Sequence, residues 1–265
     1  MRGRVRAAAG TVAIAVLAGV PGGVDAQLEE RIAAVEDGTV RFGYRARPEV
    51  EVCEQGVRIG ERHVWWRSRY GEDEGRDCRS GYVEVEVRRS GSTVREVELV
   101  RDFGPPGSGV VDLGEVEPEA AVEALMTVAR GGAGGGDGPE DAVLPAFLAD
   151  VDDPWPGFLD LARDRAVRTD VRKVTIFWLG QAAADVVSEG LSALAVEDEE
   201  DQEIRDAAVF ALSQRPLDEA VPALMELARD ADQAETRRVA LFWLAQADDP
   251  RVVAFFEEIL LGRTP

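Results

Sequence analysis

Only one of the 265 residues is His, two are Cys, and Lys173 is the single Lys among 30 cations. One His and two Cys exclude multi-His metal sites and cysteine zinc clusters. Nucleophilic hydrolysis is poorly provided for as well, because His63 has no obvious serine partner. The cations are outnumbered by 51 acids, leaving a net −21. A general nucleic-acid binder needs the opposite surplus to displace counterions from phosphates. Nor does any apolar run reach the roughly 20 residues of a membrane-spanning helix. What remains is a 45% hydrophobic chain able to bury a sizeable core, long enough for one large or two small domains.

The start of the chain reads as an address. Arg2, Arg4 and Arg6 precede an uncharged run from Ala7 to Val20, then Pro21-Gly22-Gly23 and Val24-Asp25-Ala26. A basic start, an apolar run of about 14 residues and small residues at −3 and −1 predict a secretory signal over 1–26, cut before Gln27. An uncleaved anchor is the alternative. The mature chain is then expected outside the cytoplasm, in the periplasm or medium, and not integral to the membrane. Loss of three Arg and one Asp leaves 27 cations and 50 acids, a net −23. Residues 27–103 carry 14 Arg against 17 acids, whereas 104–265 carry 13 cations against 33 acids, a net −20. Such a break in composition points to a domain boundary.

Between Thr39 and Val100 the pattern is that of a sheet. Tyr82-Val83-Glu84-Val85-Glu86-Val87 alternates apolar and charged residues, Ser90-Gly91-Ser92 follows, and Val94 to Val100 alternates again. This predicts a hairpin. Val40-Phe42-Tyr44 and Val50-Val52 predict two more strands, Gly56 to Gly60 a short strand or turn, and Gln27 to Val35 a short helix or frayed end. In an exported protein Cys53 and Cys78 predict a structural disulfide, contributing about 3 kcal/mol by closing its loop. The alternative is a metal site of Cys53, His63, Cys78 and Asp77, though the spacing matches no usual zinc pattern. Trp65, Trp66 and Arg67 lie in an Arg/Trp/Tyr stretch from Arg62 to Tyr70. They are residue types that dominate binding hot spots, or simply a strand with Trp inward and Arg outward.

Internal repetition dominates the second half. Ile176-Phe177-Trp178-Leu179-Gly180-Gln181 recurs as Val209 to Gln214 and as Leu241 to Gln246, at offsets of 33 and 32. Val171-Arg172, Ile204-Arg205 and Thr236-Arg237 stand in register, as do Thr175, Ala208 and Ala240. Phe158-x-x-Leu161, Leu191-x-x-Leu194, Leu224-x-x-Leu227 and Phe256-x-x-Ile259 repeat upstream, the first three followed by Asp164, Glu197 and Asp230. Each unit reads as two amphipathic helices that must stack to cover their apolar stripes. Residues 123–130 match 222–229 three periods on, so the glycine tract from Gly131 to Gly138 falls as a loop within a unit, with Asp141 to Ala149 a degenerate second helix. The boundary belongs near Pro118. The expected layout is a small disulfide-linked β-rich domain over 27–116 and an all-α solenoid of about four helical pairs over 117–265.

This order of leucines, acid, Val-Arg and small residue resembles the HEAT repeat, close to the phycobilisome-lyase-like subgroup. The resemblance implies a ladder in which Asp164, Glu197 and Asp230 meet Arg172, Arg205 and Arg237. Phe177, Phe210 and Phe242 are expected to pack between units, and the acidic run Glu197 to Asp201 to be solvated. Trp178 and Trp243 occupy a repeat position that is Ala211 in the middle unit, which marks the border of a groove or uneven packing. The second helices are expected to line one face, with Trp178 and Trp243 exposed for a partner. The leading expectation is a non-catalytic scaffold of the bacterial cell envelope, without cofactor or metal, binding a protein with a basic surface and no nucleic acid. An enzyme, hydrolase or lyase-like, and an envelope sensor signalling to a membrane partner are the alternatives.

Overall fold

The computed structural model describes residues 26–261 except 55, 61, 66–77, 132–137, 183 and 198–199, and the side chains of 26 and 62–65 are likewise not described. Residues 1–25 of the expected signal, Trp66, Arg67 and residues 132–137 of the glycine tract lie outside the described residues. A short helix α1 (Ala26–Ala33) buries Leu28 and Ile32. One sheet has the order β7-β6-β1-β8, from β1 (Asp37–Arg45), β6 (Tyr82–Ser90), β7 (Thr93–Leu99) and β8 (Val110–Glu115). The second runs β4-β3-β2-β5, from β2 (Val50–Cys53), β3 (Gly56–Ile59), β4 (Arg62–Trp65) and β5 (Cys78–Ser80).

The alternation in the sequence becomes the two faces of the first sheet. Val40, Phe42 and Tyr44 stand opposite Val87, Val85 and Val83, and all six are buried. The other face holds Arg41, also buried, donating to Glu84 at 2.8 Å and to the Gly104 carbonyl at 3.2 Å. β8, which no alternation announced, pairs parallel with β1. In the second sheet Cys53 and Cys78 are direct partners on β2 and β5, with Cα atoms 4.2 Å apart, and they form the disulfide. Bonded to each other, they are lost as thiolate ligands to the alternative metal set.

Helices follow from Pro118 onward: α2 (Pro118–Ala129), α3 (Gly138–Asp141), α4 (Val143–Leu148), α5 (Trp155–Arg163), α6 (Thr169–Gln181), α7 (Asp185–Val196), α8 (Gln202–Ser213), α9 (Leu217–Asp230), α10 (Ala234–Leu244) and α11 (Pro250–Leu260). Buried residues fall at helical spacing: Val187, Leu191, Leu194 and Ala195 in α7, and Val171, Thr175, Trp178 and Leu179 in α6. The pairs α5–α6, α7–α8 and α9–α10 stack in order, with α6, α8 and α10 side by side in one layer and α5, α7, α9 and α11 in the other. Among the described residues, no helix is long and apolar enough to cross a membrane.

The sheet and the helices share one continuous core. Tyr44 donates its buried hydroxyl to the Pro145 carbonyl at 2.8 Å, and Ala46 bridges Ala149 in antiparallel fashion. Arg47 lies over the Phe147 ring at 4.4 Å. Gly138 opens α3 directly on β7, where a Cβ would approach the Glu96 backbone nitrogen to 3.0 Å.

Candidate interaction surface

The repeated arginines hold the stack together, though not through the expected acids. Arg172 is 2% exposed and donates from Nε to the Ala162 carbonyl at 2.8 Å. Its two terminal nitrogens grip Glu200 in a bidentate pair, one bond being 3.1 Å. Glu200 in turn accepts from the Asp201 backbone N–H at 2.8 Å. Burial raises the Glu200 carboxyl, but the bonds from Arg172 and Asp201 and the charges of Arg172 and Arg165 outweigh it, holding its pKa below the usual carboxylate value. Arg205 donates to the Glu197 and Glu200 carbonyls, and Arg237 to those of Ala231 and Asp232. Each arginine thus satisfies carbonyls left open where the first helix ends and turns, at the negative end of its dipole.

The ladder of Asp164, Glu197 and Asp230 with these arginines is therefore corrected. Asp164 accepts from the Ala166 N–H at 2.9 Å, and Glu197 pairs on the surface with Arg165 at 3.1 Å. The solvated reading of the acidic run is corrected at Glu200, which is buried, while Glu197 and Asp201 are exposed. Sequence reasoning also missed Arg215, 5% exposed, which binds Ser188, Glu219 and the Ala184 carbonyl at 3.0, 2.8 and 3.0 Å. Arg215 lies one residue past the repeated Gln214, so no repeated motif flagged it.

The second helices α6, α8 and α10 line one face. Phe177 and Phe242 are 38% and 55% exposed along it, with Phe210 half-buried between them. The expectation that these rings pack between units holds for Phe210, which meets Trp243 of the next unit at 5.0 Å. It is corrected for Phe177 and Phe242, which stand at the outer edge of the layer while the smaller Thr175, Ala208 and Ala240 take the fully buried positions. A groove of about 400 Å³ runs between α6 and α8, lined by Lys173, Phe177, Glu203, Asp206, Ala207 and Phe210. A second depression, about 390 Å³, lies where β7 meets the helices, with Glu96, Glu98, Glu140 and Asp141 around a floor of Leu144, Val174 and Trp178. It continues through Glu98, Leu99 and Arg101 into a polar cleft of about 680 Å³ beside Arg41.

The profile of HEAT repeats matches residues 156–245 and 188–264. Residues 156–264 carry HEAT repeats. No curated protein matches the chain. In these HEAT repeats Trp178 is 5% exposed, stacked on Phe147 at 5.3 Å, and Trp243 is half-buried against Phe210 at 5.0 Å. The expectation of two exposed, aligned indoles is corrected: each turns toward the preceding unit, where burying a large ring outweighs leaving it in water. Trp65 ends β4, in register with Gly56, and its side chain lies outside the described residues. Neither Trp178 nor Trp243 lines the α6–α8 groove. Phe177 and Phe210, which do line it, were legible as a repeat but not as a surface.

Proposed function

We propose that the chain is a non-catalytic scaffold that binds a protein or peptide partner on the face formed by α6, α8 and α10. One observation carries this reading: a long, continuous face keeps phenylalanines in water beside carboxylates, where a purely structural layer would bury them. Stacked repeats provide extended surfaces of this kind. The net −20 of residues 104–265 favours a basic partner and makes its capture sensitive to salt. The disulfide and the basic-apolar-small start of the chain support an exported protein of the bacterial cell envelope. The order of leucines, acid and Val-Arg keeps the phycobilisome-lyase-like subgroup as a likeness of fold, and no chemistry follows from it.

Crosslinking in intact envelopes, followed by identification of the captured protein, tests the proposal. The expected product is one partner with a basic surface, whose yield drops as salt rises. Capture of nothing above a cytoplasmic background, or a full-length chain recovered only from cytoplasm, would overturn it.

A further inference from the structure

Each second helix carries two matched side chains in or against the core. In α6 these are Val174 and Trp178, and in α10 they are Val239 and Trp243. The corresponding residues of α8, at offsets of 33 and 32, are Ala207 and Ala211. In both outer units the indole stacks on a phenylalanine of the preceding helix, Phe147 or Phe210. The middle unit has no ring to offer. Ala211 instead seats against Gly180, where an added Cβ would come within 2.9 Å of the Ala211 carbonyl oxygen, so the two helices close tightly there. Beside that contact the chain leaves the groove of about 400 Å³ between Phe177 and Phe210, a volume within the ~300–1,000 Å³ of ligand pockets.

We propose that this groove receives an aromatic side chain of a protein partner, carried on a segment that also bears basic residues. The inference rests on the scaffold reading and gives the partner's chemistry. At two neighbouring junctions the chain covers a phenylalanine with an indole, and at this one Phe177 stays 38% exposed. Charge favours a basic segment both at the groove and over the chain around it. Glu203 and Asp206 stand at the rim, Lys173 is held by Glu203 at 3.0 Å, and the surrounding half of the chain is strongly acidic. A second copy would bring the same negative charge, which disfavours it as the occupant.

A fluorescein-labelled peptide of Lys and Trp residues tests this by anisotropy against the full chain, beside a peptide with every Trp replaced by Ala and one with every Lys replaced by Glu. The Lys/Trp peptide should bind saturably. Phe177→Ala, Ala207→Trp and loss of the peptide's Trp should each weaken it about tenfold, the usual scale of a truncated anchor. Phe177 is exposed enough that its variant keeps the fold, and thermal melting checks both variants. No binding, equal binding of the Trp-free or acidic peptide, or indifference to both variants overturns the proposal. Self-association that Ala207→Trp abolishes assigns the groove to a second copy and overturns it equally. A crosslinked envelope partner held equally by wild type and Ala207→Trp sinks the groove while the scaffold stands. Specific peptide binding by a chain that crosslinks to nothing does the reverse.

Discussion

Arg172 and Glu200 sit at the join between two repeats with side chains each 2% exposed. A buried pair of this kind is weak evidence of net stability, yet removing one partner strands the other charge away from water. Glu200→Ala should therefore cost about 3–5 kcal/mol in urea unfolding, while replacing Arg172 and Glu200 together by Met and Leu should recover most of that loss. Because its pKa is lowered on folding, Glu200 adds stability that is full above the usual carboxylate value and is lost as pH falls through the folded value. Urea midpoints measured from neutral to acid pH should fall, and Glu200→Gln should flatten part of that slope. The repeat period located Arg172, because its register recurs. It gave no hint of Glu200, which lies inside an acidic run that composition alone assigns to solvent.

At the scale of elements, the close approach of α6 and α8 depends on Gly180. Gly180→Ala should push the helices apart and cost about 1–3 kcal/mol in thermal melting. Trp178→Ala should cost about 3–5 kcal/mol by leaving a cavity against Phe147, and Trp243→Ala less, being half-buried. Reversed magnitudes would contradict the packing of the two indoles. The helices and the β6–β7 hairpin were legible because one buried face imposes a period on the sequence. β8 was not: Val110–Glu115 runs along a sheet edge, partly wet on both faces, and alternates nothing. The outward edge of the phenylalanines was hidden for a related reason. Periodicity shows which residues share a helix face, but only the neighbouring helix decides which part of that face stays open.

At the scale of the whole molecule, the sheet and the first helices act together. A fragment of residues 117–265 loses the Tyr44 bond to Pro145 and the Arg47 cover on Phe147. It should melt below the full chain and be cut faster by protease; equal stability would show that the shared core adds nothing. The bridge between Ala46 and Ala149 also sets an order of events. Repeats can form from contacts close in sequence, whereas β1 waits for β6, then for β8 and then for α4, and distant pairings are slow. Phe42 and Tyr44, fully buried in the end, enter the world early and are covered late. Any stall in synthesis before residue 145 leaves the Tyr44 hydroxyl without its Pro145 partner, at the moment when a chaperone or a protease would meet it.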